Sequence, residues 1–257
     1  MSVARIDFEA AARAAAEAAD AARAEILPRF RRVAVETKSD GTPVTEADRA
    51  AERAIRERLR AATPDYAIKG EEYGEEGPGG RPCWLVDPID GTIGFSRGIP
   101  LFTTLIALLD EGEPVLGLID CPAFDERFIG WKNGGCQRNG RPTRVSSDSD
   151  LRKTIIAHGD QFCFDLSDEL PAFERMAREL PMLRGYTDAF GHAQVLSGGV
   201  GAMVDLQLNP WDAACSQILV PEAGGRCHTF PVKGGKLGLI LGSPPLVDQL
   251  IDYLPSA

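Results

Sequence analysis

Histidine is scarce in this chain. His158, His192 and His228 are the only three in 257 residues, and they are too dispersed to form a metal-binding pair. Six cysteines, Cys83, Cys121, Cys136, Cys163, Cys215 and Cys227, are scattered without a C-x-x-C pair, which argues against a zinc knuckle or a dense disulfide framework and for a reduced, cytoplasmic setting. Basic residues are the minority, 28 against 38 acidic, for a net charge of −10. That balance disfavours nonspecific binding to nucleic acid or to an anionic membrane. No basic patch accompanies Trp131 or Trp211, so both read as packing residues and not as a base-stacking platform. The alanine-rich N-terminal stretch is interrupted by acids and arginines, and reads as neither signal peptide nor membrane span. Repeats and long low-complexity linkers are also missing.

Against this background "WLVDPIDGTIGF" stands out. Trp84, Leu85 and Val86 read as a buried strand that ends at Asp87, where Pro88 interrupts the ladder, and Asp90-Gly91 is turn chemistry with Thr92 placed to cap a following helix. Two unpartnered carboxylates in one turn raise each other's pKa, whereas a divalent cation between them turns repulsion into coordination. A hard cation needs further oxygen ligands. Glu71 and Glu72 in "IKGEEYGEEGPGG" follow a short strand-like stretch, Tyr66 to Ile68, and Asp212 in "NPWDAACSQILVPEAGG" opens an apolar helix, where it is also favourable charge at a helix N-terminus. The candidate set is all oxygen, which suits magnesium or manganese and not zinc.

Elsewhere the pattern predicts a long helix from Asp7 to about Phe30, a hairpin carrying Lys38, and a second helix from Thr45 to about Ala61. Three apolar runs between Leu101 and Lys132 read as adjacent strands of one sheet, with "NGGCQRNGRP" at its edge. After Ser149 strands alternate with helices, expected over Ser167 to Leu180, Ala189 to Ser197, Trp211 to Glu222 and Pro244 to Leu254. The chain therefore divides into an N-terminal half, 1–149, with the larger sheet and most candidate ligands, and a C-terminal α/β half, 150–257, fused as one unit with the site in the cleft between them.

The order "GEE", "DPIDGT", "PWDAA" and "EAGG", preceded by "ETKSDGTPVTEAD" with Lys38, Thr45 and Asp48 in matching places, resembles the inositol monophosphatase family of metal-dependent, lithium-sensitive phosphomonoesterases over nearly the whole chain. The resemblance implies a mixed α/β fold, a layered αβαβα sandwich of the inositol monophosphatase / fructose-1,6-bisphosphatase type, in a homodimer. It also implies two or three magnesium ions per site. Glu71, Asp87 and the carbonyl of Ile89 would hold the first, Asp87, Asp90 and Asp212 the second, and Glu72 would support a weaker third. Thr92 would orient the attacking water, polarised by Asp48, and the N–H groups of Gly91 and Thr92 would grip the phosphate. Thr45-x-x-Asp48 also has the form of a capping box.

Two further acids bear on the alcohol portion of the substrate. Asp205 falls where inositol monophosphatases carry an acid that contacts the ring, and Asp188 falls where the histidinol-phosphate phosphatases of the family tend to have Asp. A carboxylate there suits an ammonium next to the phosphoester carbon, as in L-histidinol phosphate. The chain departs from that branch at Ile93 and Gly94, where Lys and Ser are frequent, and at Tyr186 and Thr187, where a Gly pair is frequent. An inositol-1-phosphate or broad sugar-phosphate phosphatase is the alternative. Some bacterial members instead act as partners of the transcription machinery.

Overall fold

A computed structural model describes residues 6–32, 35–37, 43–78, 82–254 and 257. Lys38 lies outside them. In chain order the elements are α1 (Phe8–Arg29), β1 (Val35–Thr37), β2 (Pro43–Thr45), α2 (Glu46–Ala62), β3 (Ala67–Gly70), β4 (Gly74–Glu76), β5 (Cys83–Asp90) and α3 (Thr92–Ser96). Then come β6 (Thr103–Asp110), β7 (Glu113–Cys121), β8 (Glu126–Trp131), β9 (Gly135–Arg138), β10 (Arg141–Pro142), β11 (Ile156–His158), α4 (Gln161–Leu166) and α5 (Leu170–Glu179). The chain ends with β12 (Leu183–Gly185), α6 (Asp188–Leu196), β13 (Ala202–Leu208), α7 (Pro210–Glu222), β14 (Arg226–Val232), β15 (Lys236–Gly242) and α8 (Pro244–Ile251).

Two mixed sheets carry the fold, an eight-stranded one ordered β10-β9-β8-β7-β6-β5-β3-β4 and a five-stranded one ordered β12-β11-β13-β15-β14. Helices α1 and α2 cover the outer face of the first. Ala11, Ala15, Ala18, Ala22 and Ile26 recur on one face of α1, and these small side chains let it pack closely on α2 over Trp84, Ile106 and Leu118. Helices α6 and α7 lie between the sheets, where Val195, Cys215 and Leu219 meet Leu105, Ile119 and Phe128 from one side and Met203 and Leu241 from the other. Helices α4, α5 and α8 close the far face around Phe164, Met176 and Leu246. The result is the expected αβαβα sandwich.

Three local expectations change. The helix expected over Ser167 to Leu180 starts only at Leu170, as α5, and an unexpected short helix, α4, precedes it; the chain turns between them, where Asp168 adopts φ 61° and Glu169 N–H bonds back to the Phe164 carbonyl. Strand β5 does not stop at Asp87 but runs on to Asp90, with an irregular register against β6 between the two acids. Pro88 lacks an N–H to donate, and its carbonyl is taken by the Thr104 hydroxyl at 2.8 Å. The residue at the N-cap of α3 is Gly91, at φ 85°, and Thr92 is the first helical residue.

Candidate active site

The irregular end of β5 determines where the carboxylates point. Asp87 is buried and its Oδ1 accepts from Ile89 N at 3.0 Å. Asp90 Oδ2 accepts from the Thr103 hydroxyl at 3.0 Å and from Ala189 N at 2.7 Å, which ties the first sheet to the start of α6. Asp212 comes from the opposite half. It is the third residue of a capping box in α7, where Oδ2 accepts from Asn209 N at 2.7 Å. One carboxylate oxygen from each of Asp87, Asp90 and Asp212 falls within 4.8 Å of the others.

This cluster is poised for a cation. Burial and mutual repulsion push Asp87 and Asp90 well above the usual carboxylate range and Asp212 up to about 7. Among the described residues none of the three is ion-paired with Arg or Lys. Three closely spaced oxygen donors, Asp87 buried and Asp90 and Asp212 half-buried, without a compensating charge fit a hard divalent ion. Glu71 adds its negative potential to Asp48, Asp87 and Asp212 and lines the same cavity. Its backbone N–H bonds the Val86 carbonyl at 3.1 Å.

Asp48 serves two structures at once. Its Oδ2 accepts from Thr45 N at 2.7 Å and from the Thr45 hydroxyl at 2.5 Å, completing the capping box of α2, while Oδ1 faces the Thr92 hydroxyl at 3.2 Å. The Thr92 hydroxyl also lies 2.9 Å from the Ile89 carbonyl. The two readings of Asp48 are therefore compatible. Burial raises its pKa.

A cavity of about 450 Å³ opens over these groups, lined by Glu71, Asp87, Ile89, Asp90, Gly91, Thr92, Asp188 and Asp212. Gly91 is required at its position: a Cβ would stand 2.9 Å from the Leu101 carbonyl and 3.2 Å from Asp188 Oδ2, on a backbone at positive φ. The same geometry puts the Asp188 carboxylate beside the α3 turn. Desolvation and the nearby Asp205 charge raise Asp188 to about 6.

Three sequence candidates do not line the cavity: Asp48, which meets it only through the Thr92 hydroxyl, Asp205 and Glu72. Asp205 is buried beneath it: Oδ1 accepts from Leu206 N at 3.0 Å and Oδ2 faces His192 Nε2 at 3.1 Å, while His192 Nδ1 meets the Ser216 hydroxyl at 2.9 Å. This buried chain joins β13, α6 and α7 one helical turn behind Asp188 and Asp212. Glu72 sits next to Glu71 in the turn, and its charge acts on Arg49 of α2.

Other residues of the site are not apparent from sequence patterns. Glu52, fully buried and paired with Arg56 at 2.8 Å, accepts from Glu72 N at 2.7 Å and Tyr73 N at 3.2 Å, so it holds the turn that presents Glu71. Gly70 leaves room for it, since a Cβ there would come within 2.1 Å of Glu52 Oε1. The Glu52-x-x-x-Arg56 spacing was the only local signal. Asp160, the N-cap of α4, and Asn209 also line the cavity, as do Ile93, Ile99 and Leu101.

The family model described as the inositol monophosphatase family matches residues 2–245. A histidinol-phosphatase from Streptomyces coelicolor is 37% identical over 252 residues, covering 92% of this chain and 93% of that protein. A histidinol-phosphatase from Chlorobaculum parvum is also 37% identical, over 78% of this chain and 77% of that protein. The solved structure of an inositol monophosphatase from Anabaena superposes with a TM-score of 0.84 at 28% identity, covering 98% of each chain. An oxygen-donor cluster lining a cavity between the two halves, found in a chain matched nearly end to end, places this protein in the inositol monophosphatase family of metal-dependent phosphatases.

Proposed function

We propose that this protein is a magnesium-dependent phosphomonoesterase that hydrolyses L-histidinol phosphate by direct attack of water. The observation that carries the substrate assignment is the Asp188 carboxylate, which lies against Gly91 at the turn where the phosphate would bind. An ammonium one carbon away from the phosphoester carbon reaches that carboxylate as a charge-assisted hydrogen bond, which a neutral polyol cannot reproduce. The resemblance to histidinol-phosphatases at 37% identity supports the same choice.

Glu71, Asp87 and the Ile89 carbonyl would hold one ion, Asp87, Asp90 and Asp212 a second, and Glu72 would support a third through water. When bound, magnesium supplies Lewis-acid polarisation of the phosphoryl group and charge stabilisation at the leaving oxygen. The N–H groups of Gly91 and Thr92, at the start of α3, would grip the phosphate, and the Thr92 hydroxyl would orient the attacking water. As the P–O bond to water forms, that water loses a proton through the Thr92 hydroxyl to Asp48 Oδ1, which lies 3.2 Å away. Its raised pKa suits it to accept one. The P–O bond to the alcohol then breaks and the alcoholate leaves with a proton from solvent. Asp205 acts from beneath, through His192, to keep α6 and α7 in register. The halves 1–149 and 150–257 function as one unit in a cytoplasmic homodimer.

The test is a panel of phosphomonoesters assayed with magnesium: histidinol phosphate, inositol-1-phosphate, glycerol-2-phosphate and fructose bisphosphate. Histidinol phosphate should give the highest kcat/KM. A preference for inositol-1-phosphate would replace the substrate assignment and leave the phosphatase class standing.

A further inference from the structure

The cavity is not polar throughout. Ile93 and Ile99 lie on its wall with Leu101, and they are 63% and 47% exposed. Exposed β-branched aliphatics cost solvation, and when they line the same cavity as a carboxylate cluster they mark the part of a pocket that a ligand covers. Their placement is fixed by the turn. Ile93 directly follows Thr92 in α3, and Gly94 lies close under Ile99 and Leu101, where a Cβ would be 3.9 Å from Ile99 Cβ and 3.2 Å from the Leu101 carbonyl. The apolar wall thus begins one residue from the phosphate turn, within reach of the alcohol carbons of a bound ester.

We propose that Ile93, Ile99 and Leu101 form an apolar subsite that receives the flat face of a ring on the alcohol portion of the substrate, making them specificity-determining residues that act independently of Asp188. The occupant is a small phosphomonoester whose alcohol carries both a ring and an ammonium. A polyol, which is hydroxylated on every carbon, would leave hydroxyls against this wall without hydrogen-bond partners and is disfavoured. The proposal rests on the phosphatase reading above, and its test separates the ring contact from the ammonium contact.

Four substrates make the separation: L-histidinol phosphate (ring and ammonium), 2-phenylethyl phosphate (ring only), phosphoethanolamine (ammonium only) and glycerol-2-phosphate (neither). The readout is the ring factor, the ratio of kcat/KM between ring-bearing and ring-free esters, taken once within the ammonium pair and once within the uncharged pair. In wild type the factor should exceed one in both pairs. Ile93→Asn and Ile99→Asn should each reduce it about five- to tenfold, the scale for exposing several tens of Å² of ring and aliphatic surface. Ile93→Val should largely keep it. Asp188→Ala should lower the ammonium factor and leave the ring factor in place. A wild-type ring factor near one, or a ring factor unchanged in both Asn variants with melting temperatures like wild type, overturns the apolar subsite even if histidinol phosphate is the preferred substrate. If Ile99→Asn instead changes only the sedimentation coefficient, the wall is a contact between copies and the proposal is likewise overturned. Conversely, a lost ammonium preference with an intact ring factor refutes the substrate assignment and retains the subsite.

Discussion

Asp212→Asn tests the cluster through stability, without reference to any substrate. In the metal-free protein Asp212 holds its proton up to about pH 7, whereas in the unfolded chain it ionises near its ordinary value of 3.8. Between those values the folded state binds more protons. The stabilisation is therefore fully present below about pH 4 and is lost as pH rises toward 7, at about 1.4 kcal/mol per pH unit. Between pH 5 and pH 7, where the slope fades as the folded group itself begins to ionise, wild type should lose about 2.3 kcal/mol from this group, or roughly 5–9 °C in melting temperature for a chain of this size. The asparagine variant lacks that slope. Its amide oxygen can still accept from Asn209 N–H, so the cap of α7 survives, and relief of repulsion on Asp87 and Asp90 shifts the comparison the same way. Thermal melts in excess chelator at pH 5, 6, 7 and 8 should show wild type falling relative to the variant, and magnesium at about a hundred times its dissociation constant should restore about 2.7 kcal/mol to wild type. Parallel pH profiles for the two proteins in chelator would refute the crowded-carboxylate picture.

Further perturbations address the chemistry. Asp90→Asn removes a charge but keeps an acceptor for Thr103 and Ala189, so the fold should survive while turnover falls at least about a hundredfold; near-normal kcat in a folded variant would contradict its role. Asp188→Ala should lower kcat/KM on histidinol phosphate by about ten- to a hundredfold, from a charge-assisted contact of about 1.5–3 kcal/mol, with little effect on glycerol-2-phosphate. Equal losses on both would indicate general damage to the cleft. Gly91→Ala forces a Cβ against the Leu101 carbonyl at positive φ and should cut activity more than global stability, read as kcat against melting temperature.

Much of the site was legible because its chemistry sits at punctuated positions: Asp87 and Asp90 flank a proline before an Asp-Gly turn, and Asp212 opens a helix behind Asn-Pro. Those local signals survive folding, and the αβαβα layering followed from the family resemblance of the same motifs. The residues that could not be read act through tertiary contacts. Glu52 looks like one more acid on an amphipathic helix until Gly70 makes room for it under the Glu71 turn. Asp205 carries no sequence mark of its burial, and only the crossing of α6 and α7 over β13 gives it His192 as a partner. Ile99 reads as an ordinary loop aliphatic, and becomes part of the cavity only because the chain returns past Gly94. The turn at Asp168 delays α5 to Leu170, and its positive φ is fixed by the chain's return from α4, a short helix that the sequence pattern did not suggest.

The most direct test of the account is phosphate release from L-histidinol phosphate by chelator-stripped enzyme titrated with magnesium, run beside Asp90→Asn. The account predicts no measurable rate before magnesium, saturable recovery with it, and a rate at least about a hundredfold lower in the variant at every concentration. Full hydrolysis in excess chelator, or equal recovery by wild type and Asp90→Asn, would contradict it.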